Sequence, residues 1–399
     1  MARKAIICGA GIAGLATAWW LNRDGWDVRL VERAAEPRDE GYMIDFFGPG
    51  YDIAERMALL PRLAEIQTSI KRVQYIRPDG SSEGVLDYDR FLAAFGGRGF
   101  TFLRGDLERV LRDAVADDVT IHYGSTIDKI VETAAGVEVV LDDATVQQAD
   151  LLVGADGIHS RVRAMVFGLQ AATERYLGYH TAAFMVDDPE LRARIGDRFL
   201  VVAVPDRQVG LYPTDAGRLA AWLVHKSTDP GLPADPVARL RQVYTGMGDL
   251  ALRTVSHCPP DRGLYYDQVT QIEMSGWSRN AVTLVGDACH AVSLMAGQGA
   301  SMALAGAYVL SDELRRDDDI PTALARYERR LRPMVAAKQK AGRRTARWLV
   351  PDSQWRLDMR RAAFSALRLP GSAVLMRPLV TSMRDSVVAH GGDSGLSHA

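Results

Sequence analysis

The chain has 399 residues, too many for one small core and about right for two or three closely packed units. Hydrophobic residues make up 47% and charged residues 25%, the mix of an ordinary globular protein, and a formal net charge of -2 supplies no global field toward nucleic acid or a membrane surface. Three cysteines, Cys8, Cys258 and Cys289, fit neither a disulfide framework nor a metal knuckle, which points to a reducing, cytoplasmic setting.

In chain order, Ala5 to Cys8 is a short apolar run, too brief for a signal-peptide core, and reads as a buried strand. No apolar stretch reaches the roughly 18 residues of a membrane span. Gly9 to Gly14 is a turn, Leu15 to Arg23 has helical apolar spacing closed by Asp24-Gly25, and Val28 to Val31 is a second buried strand. Val73 to Ile76 followed by Pro78-Asp79-Gly80 predicts a hairpin. Arg104 to Val115 is helical; Thr120 to Tyr123, Ile127 to Val131 and Val137 to Leu141 read as a meander; Asp150 to Val153 is a further buried strand. Ala182 to Val186, Phe199 to Val204, Val209 to Pro213 and Leu219 to Val224 predict a mostly antiparallel sheet, and Val282 to Val285 another buried strand. The pattern from Thr322 to Leu349 is helical, with Pro333 as a kink or break. Its arginines (Arg326, Arg329, Arg330, Arg332, Arg343, Arg344, Arg347) lie near acids and read as a solvated face. The stretch after His390 reads as a frayed tail.

Three motifs carry chemistry. Gly9-Ala10-Gly11-Ile12-Ala13-Gly14 is a G-x-G-x-x-G between a strand and a helix. Gly9 allows the turn, Gly11 lets a diphosphate approach the backbone, Gly14 lets helix and sheet pack closely, and the helix N-terminus offers unpaired N–H groups. Glu32 ends the second strand at roughly the ~20-residue spacing of a ribose acceptor, and its charge disfavours a 2′-phosphate there. The second motif is Gly154-Ala155-Asp156-Gly157-Ile158-His159-Ser160-Arg161-Val162-Arg163; the third is Gly286-Asp287-Ala288-Cys289-His290 followed by Gly297-Gln298-Gly299 and a helix from Ala300 to Leu310. Asp287 falls at a strand's carboxyl end, where α/β sheets bind ligands. Cys289-His290 has no companion cluster at metal spacing, so no metal is expected.

Together these motifs resemble the single-component, FAD-dependent aromatic hydroxylases, the group A flavoprotein monooxygenases, from Ala5 to about Arg332. The resemblance implies an α/β fold: a Rossmann-like FAD-binding domain with a parallel sheet (1–72, 100–172 and 273–320), interleaved with a mostly antiparallel substrate-binding sheet (73–99 and 173–272), then a C-terminal helical segment (321–390) and a flexible tail (391–399). It assigns Gly9, Gly11, Ile12, Ala13, Gly14, Glu32 and Arg33 to the ADP half of FAD. Arg104 falls to the diphosphate region, Arg38 to a flavin contact, Asp156 to FAD and NAD(P)H handling, Asp287 to the ribityl chain, and Leu294 to Gly299, with Gln298 and Ala300, to the isoalloxazine. Substrate candidates are Asp45, Phe46, His180, Phe184, Tyr212, Trp222, Leu294 and Met295. Two positions depart from the family: Leu294 stands where a proline is usual, and Ala303-Leu304-Ala305-Gly306-Ala307 lacks an acidic pair.

The implied activity is monooxygenation: NADPH or NADH reduces FAD, O2 gives a flavin hydroperoxide, and one oxygen atom passes to a small hydrophobic aromatic or polyketide-like substrate. Neither nucleic acid nor membrane is an implied partner, and a monomer or weak homodimer is expected. A flavin-dependent reductase or dehydrogenase, and a non-catalytic flavin redox sensor, stay open; a flavin halogenase lacks its W-x-W-x-I-P motif, since Trp19-Trp20 belongs to the first helix.

Overall fold

The computed structural model describes residues 2–37, 42–68, 70–88, 97–133, 135–168, 172–214, 217–260 and 263–366. The opening apolar run is the central strand Lys4–Cys8 of a six-stranded sheet ordered Ser278–Arg279, Val282–Leu284, Leu151–Gly154, Lys4–Cys8, Asp27–Glu32 and Thr120–Tyr123. All neighbours pair in parallel except the short first edge strand. The register Ile6↔Leu152 and Ile6↔Arg29 brings the carboxyl ends of the inner strands to one edge, where the three glycine-bearing motifs begin. Both faces are covered, so the inner strands are nearly continuous Ile, Leu and Val: Ile7, Leu30, Leu151, Leu152, Val153 and Leu284 have at most trace exposure.

Thr120–Tyr123 departs from the expected meander. It pairs in parallel with Asp27–Glu32, because the helix Arg104–Asp113 before it returns the chain in the direction of the sheet's other strands. The meander is Ile127–Thr133, Gly136–Leu141 and Val146–Ala149. Pro333 likewise does not break its helix, which is continuous from Ile320 to Leu349. Nor are all of that helix's arginines solvated. Arg330 pairs with Asp312 and with Glu313 at 2.8 Å, and Arg332 lies over the Trp277 ring at 4.8 Å while donating to the Met274 carbonyl at 2.8 Å. The helix packs against its neighbour Gly299–Arg316 and against the Trp277 segment, so guanidinium groups bridge elements on that side.

The second large sheet has seven strands ordered Tyr265–Met274, Ala172–Val186, Leu219–Lys226, Arg207–Pro213, Arg198–Val204, Arg72–Ile76 and Ser82–Asp87; only the Arg198–Val204/Arg72–Ile76 pair is parallel. Its two faces serve different ends. Ala182, Phe184, Leu200, Val202, Leu211, Ala221 and Leu223 pack on the helices Pro189–Ile195, Pro236–Tyr244 and Asp249–Ser256 through Leu191, Leu240 and Val255. Truncating a fully buried member such as Leu223 to Ala is of the kind that costs about 2–5 kcal/mol. The residues between, Tyr75, Phe199, Val201, Tyr212 and Trp222, form the opposite face.

On the helix-covered face lies a polar rung. His180 Nδ1 is 3.1 Å from the Tyr266 hydroxyl, and His225 stands 3.4 Å from both the Tyr244 and Tyr266 hydroxyls. Burial first, then the neighbouring His180, lowers the His225 pKa from 6.5 to about 3. The neutral form is therefore the folded form. Stability from this residue is complete above the unfolded value and is lost as pH falls from 6.5 toward about 3, because the unfolded chain binds the proton more readily. His225→Asn is expected to flatten the dependence of melting temperature on pH across that window; an unchanged slope would remove His225 from the acid response.

Candidate functional site

The glycine turn forms because three backbones meet there. Gly9 has φ 106°, and a Cβ on it would lie 2.5 Å from the Ala155 carbonyl oxygen. A Cβ on Gly14 would lie 1.9 Å from the Gly9 carbonyl oxygen. Gly9 and Gly14 thus fix the packing of the turn against the next strand and the first helix. Gly11 differs: the nearest atoms to a Cβ there are the ends of two flexible side chains, Glu108 at 3.4 Å and Arg104 at 3.7 Å. The turn is held from below by Glu32, whose carboxylate accepts the Ala10 N–H at 2.8 Å and the Ala34 N–H at 2.7 Å. The N–H groups that begin the helix Ile12–Arg23 therefore open toward a space over Gly11.

The second motif is built around a cap. Asp156 accepts from Ser160 Oγ at 2.5 Å and from the N–H groups of Arg161 at 2.7 Å and Val162 at 3.1 Å, so its carboxylate is spent on the start of the helix Arg161–Phe167. Arg163, for which the sequence suggested no role, ties the second motif to the third. Its buried guanidinium donates to the Ile158 carbonyl at 2.8 Å and the Ala288 carbonyl at 2.9 Å. In the third motif Gly286 has φ 67°, and a Cβ there would stand 2.7 Å from the Ala13 Cβ. That contact seats Asp287 beside the first helix. The segment beyond is pinned by Gln339, whose amide donates to the Ile272 and Ala291 carbonyls at 2.8 and 3.1 Å.

These elements surround a cavity of about 330 Å³ between the glycine turn and the open face of the seven-stranded sheet. Of the residues singled out from sequence, Gly11, Ile12, Ala13, Asp45, Arg104, Tyr212, Trp222, Asp287, Leu294, Met295, Gly297, Gly299 and Ala300 line it. Gly9, Gly14, Glu32 and Asp156 lie around the turn, and neither they nor Arg33 are on the cavity wall. Arg38 falls outside the described residues.

Three substrate candidates do not line this cavity. Phe46 is fully buried against Phe102, at 5.4 Å between ring centroids. His180 and Phe184 point to the helix-covered face, because they share the strand parity of Ala182. The wall instead includes Tyr42, Tyr75, Phe199, Gln208, Tyr265 and Gln268, which the sequence reading missed. Strand parity held a usable signal: Phe199 and Val201 alternate with core residues, as do Gln208 and Tyr212. Gly210, between the latter two, leaves room for the Phe199 ring, 2.5 Å from where its Cβ would stand.

The cavity's electrostatics are set by few groups. Arg104 is the one cation among its described lining residues, against Asp45, Asp267 and Asp287. The accessible surface of Asp287 faces the cavity; surrounding protein raises its pKa by desolvation, and Arg104 moderates the rise. Burial likewise raises Asp45, partly offset by hydrogen bonds from Tyr88 and Thr101. Tyr42 is pushed up to about 12 by burial. The Tyr212 hydroxyl accepts the Met43 N–H at 2.6 Å and so joins the sheet to the strand Met43–Phe47. Gln298 is 3% exposed, and neither amide atom has a partner among the described residues. Beside it, a Cβ on Gly299 would meet nothing within 4 Å. An open diphosphate cradle, a backbone gap at Gly297–Gly299 and an orphaned amide fit a long dinucleotide with a planar ring.

A parallel-sheet nucleotide cradle facing a ligand cavity walled by a second sheet defines the flavoprotein oxidoreductase class. The sequence matches the model described as "FAD binding domain" over residues 3–339, and the chain belongs to that family, among the FAD-dependent monooxygenases. It is 31% identical over 353 residues to a flavin-dependent monooxygenase of an unknown prokaryotic organism, covering 85% of this chain and 88% of the relative. A flavin-dependent monooxygenase of Legionella longbeachae is 30% identical over 348 residues, with 85% and 87% covered. The crystal structure of tetracycline destructase Tet(55) superposes with a TM-score of 0.81 at 27% identity, covering 92% of this chain and 96% of that one. Klebsiella pneumoniae HpxO complexed with FAD and uric acid superposes with a TM-score of 0.78 at 25% identity, 97% of each chain covered. No helix of the described residues is long and apolar enough to cross a membrane.

Proposed function

We propose that this chain is an NAD(P)H-consuming monooxygenase that inserts one oxygen atom from O2 into a hydrophobic, electron-rich aromatic or polyketide-like substrate. One observation carries the reading: the glycine-turn cradle and the aromatic face of the seven-stranded sheet open into the same cavity. The amides of Gly11 to Ala13 and the Arg104 guanidinium would hold the FAD diphosphate, Glu32 the ribose, Asp287 the ribityl hydroxyls, and the Gly297–Ala300 backbone the ring. Bound there and reduced by NADPH or NADH, FAD supplies the two-electron chemistry that activates O2. The protein's part is to orient the substrate and keep water out. Tyr75, Phe199, Tyr212, Trp222 and Leu294 offer an apolar, π-rich wall suited to a flat ring, while Asp45 is a carboxyl able to accept a substrate hydroxyl. On this reading the segments 1–72, 100–172 and 273–320 serve the cofactor, and 73–99 with 173–272 serve the substrate.

The test is a panel of phenols, quinones and polycyclic polyketides, following O2 uptake, NAD(P)H oxidation and product mass together. The expected result is substrate-stimulated NAD(P)H oxidation with a product heavier by a single oxygen. Substrate reduced or dehydrogenated with no oxygen gained would replace this reading with a reductase or dehydrogenase.

A further inference from the structure

The helix that presents Arg104 also carries an anion toward the diphosphate cradle. Glu108 stands one turn beyond Arg104, its side chain 9% exposed, with Oε1 2.7 Å from Arg104 Nη2. The same oxygen is the atom nearest to a Cβ built on Gly11, at 3.4 Å. The N–H of Ile12, the first residue of the opening helix, lies close enough to the Glu108 carboxylate to lower its pKa. The two donors that a diphosphate would seek over Gly11, a guanidinium and a helix-terminal N–H, thus both face a carboxylate of the chain itself.

We propose that Glu108 is an internal counter-anion of the cofactor site: it occupies the diphosphate donors in the cofactor-free protein and, as FAD binds, yields them and is neutralised by a proton. The inference rests on the FAD reading of the cavity given above. The charged groups around Glu108 favour it. Arg104 and Arg112 lie on its own helix, Glu32 faces it from the end of the strand Asp27–Glu32, and the Ile12 N–H faces it from the opening helix. Burial raises its pKa above the usual carboxylate value, Arg104 pulls it down and Glu32 pushes it up. A diphosphate would withdraw Arg104 and add negative charge, both of which drive protonation further. The complex then binds more protons than its separated parts, so FAD affinity rises as pH falls. A resident anion also keeps the vacant cradle from leaving Arg104 without a counter-charge.

The experiment uses the full chain freed of FAD, titrated with FAD by flavin fluorescence from about pH 5.5 to 8.5, within reach of carboxyl and histidine titration. Glu108→Gln imitates the protonated form. It is expected to bind FAD about tenfold or more tighter than wild type at the alkaline end, the equivalent of one pKa unit, and to lose most of the wild-type pH slope. Wild-type calorimetry in two buffers of different ionisation heat should show net proton uptake on binding, a readout independent of how well the variant folds. Equal or weaker FAD binding by a folded Glu108→Gln with a parallel pH profile, or no proton uptake by wild type, overturns the role of Glu108 and leaves the FAD site standing. Wild type that binds no FAD at any pH brings down both.

Discussion

Gly11→Val is expected to give a folded, colourless protein. Gly11 has φ −80° and ψ −175°, an extended conformation open to any residue and comfortable for a β-branched one. The protein atoms nearest an added Cβ are the carboxylate end of Glu108 and the guanidinium end of Arg104, at 3.4 and 3.7 Å, and both can yield. The apoprotein should therefore melt within about 3 °C of wild-type apoprotein, the shift expected from 1 kcal/mol or less. The diphosphate cannot yield, since it must come within hydrogen-bond reach of the backbone that the valine would cover. FAD affinity should fall by about a thousandfold or more, the equivalent of ~4 kcal/mol. Gly14→Ala is the informative contrast, because its Cβ would stand 1.9 Å from the Gly9 carbonyl oxygen and the damage falls on the fold itself. Flavin absorbance per chain and thermal melting separate the two outcomes. A yellow, stoichiometrically loaded Gly11→Val protein would show that the diphosphate lies elsewhere.

The different fates of these glycines illustrate what a sequence can disclose. The strand–turn–helix around Gly9 to Gly14 is local: apolar runs, glycine spacing and the acid at Glu32 lie within a single supersecondary unit, and all were legible. Which face of the second sheet meets the cavity was not. Both faces are apolar, so alternation in Ala182 to Val186 and Leu219 to Val224 defines two sets of residues without saying which one helices will cover. Sequence alone therefore does not separate His180 and Phe184, on the helix-covered face, from Trp222, on the cavity face. Asp156 has a second reading that sequence does not show: an acid between glycines after a strand suggests a ligand, and its carboxylate also caps the following helix. Glu108 was hidden by an innocuous pattern, since arginine and glutamate four apart ordinarily form a surface pair. Only the approach of that helix to Gly11 gives the pair a place in the site.

Arg104→Ala is the other substitution with a large expected effect. Arg104 begins the helix Arg104–Asp113, and its backbone N–H donates to the Tyr42 carbonyl at 3.0 Å, which holds it at the cavity's edge. Without its guanidinium, the described lining residues contribute Asp45, Asp267 and Asp287 and no cation, and the Glu108 carboxylate loses its ion-pair partner. A diphosphate would then enter a net acidic enclosure supported only by helix-terminal N–H groups. FAD affinity should drop by about a hundredfold or more, in line with ~3 kcal/mol for a charge-assisted contact. Arg104→Lys should recover only part of it, because an ammonium lacks the guanidinium's fork of donors. Removing Arg104 also changes Glu108, whose carboxylate loses the cation that holds its pKa down and no longer competes with FAD for that guanidinium. Glu108→Gln is therefore expected to change FAD affinity by a different factor in the Arg104→Ala background than in wild type, a coupling that a double-mutant cycle reads directly. Strictly additive effects would mean that the two side chains act independently on the cofactor, and wild-type affinity in Arg104→Ala would place the diphosphate out of Arg104's reach.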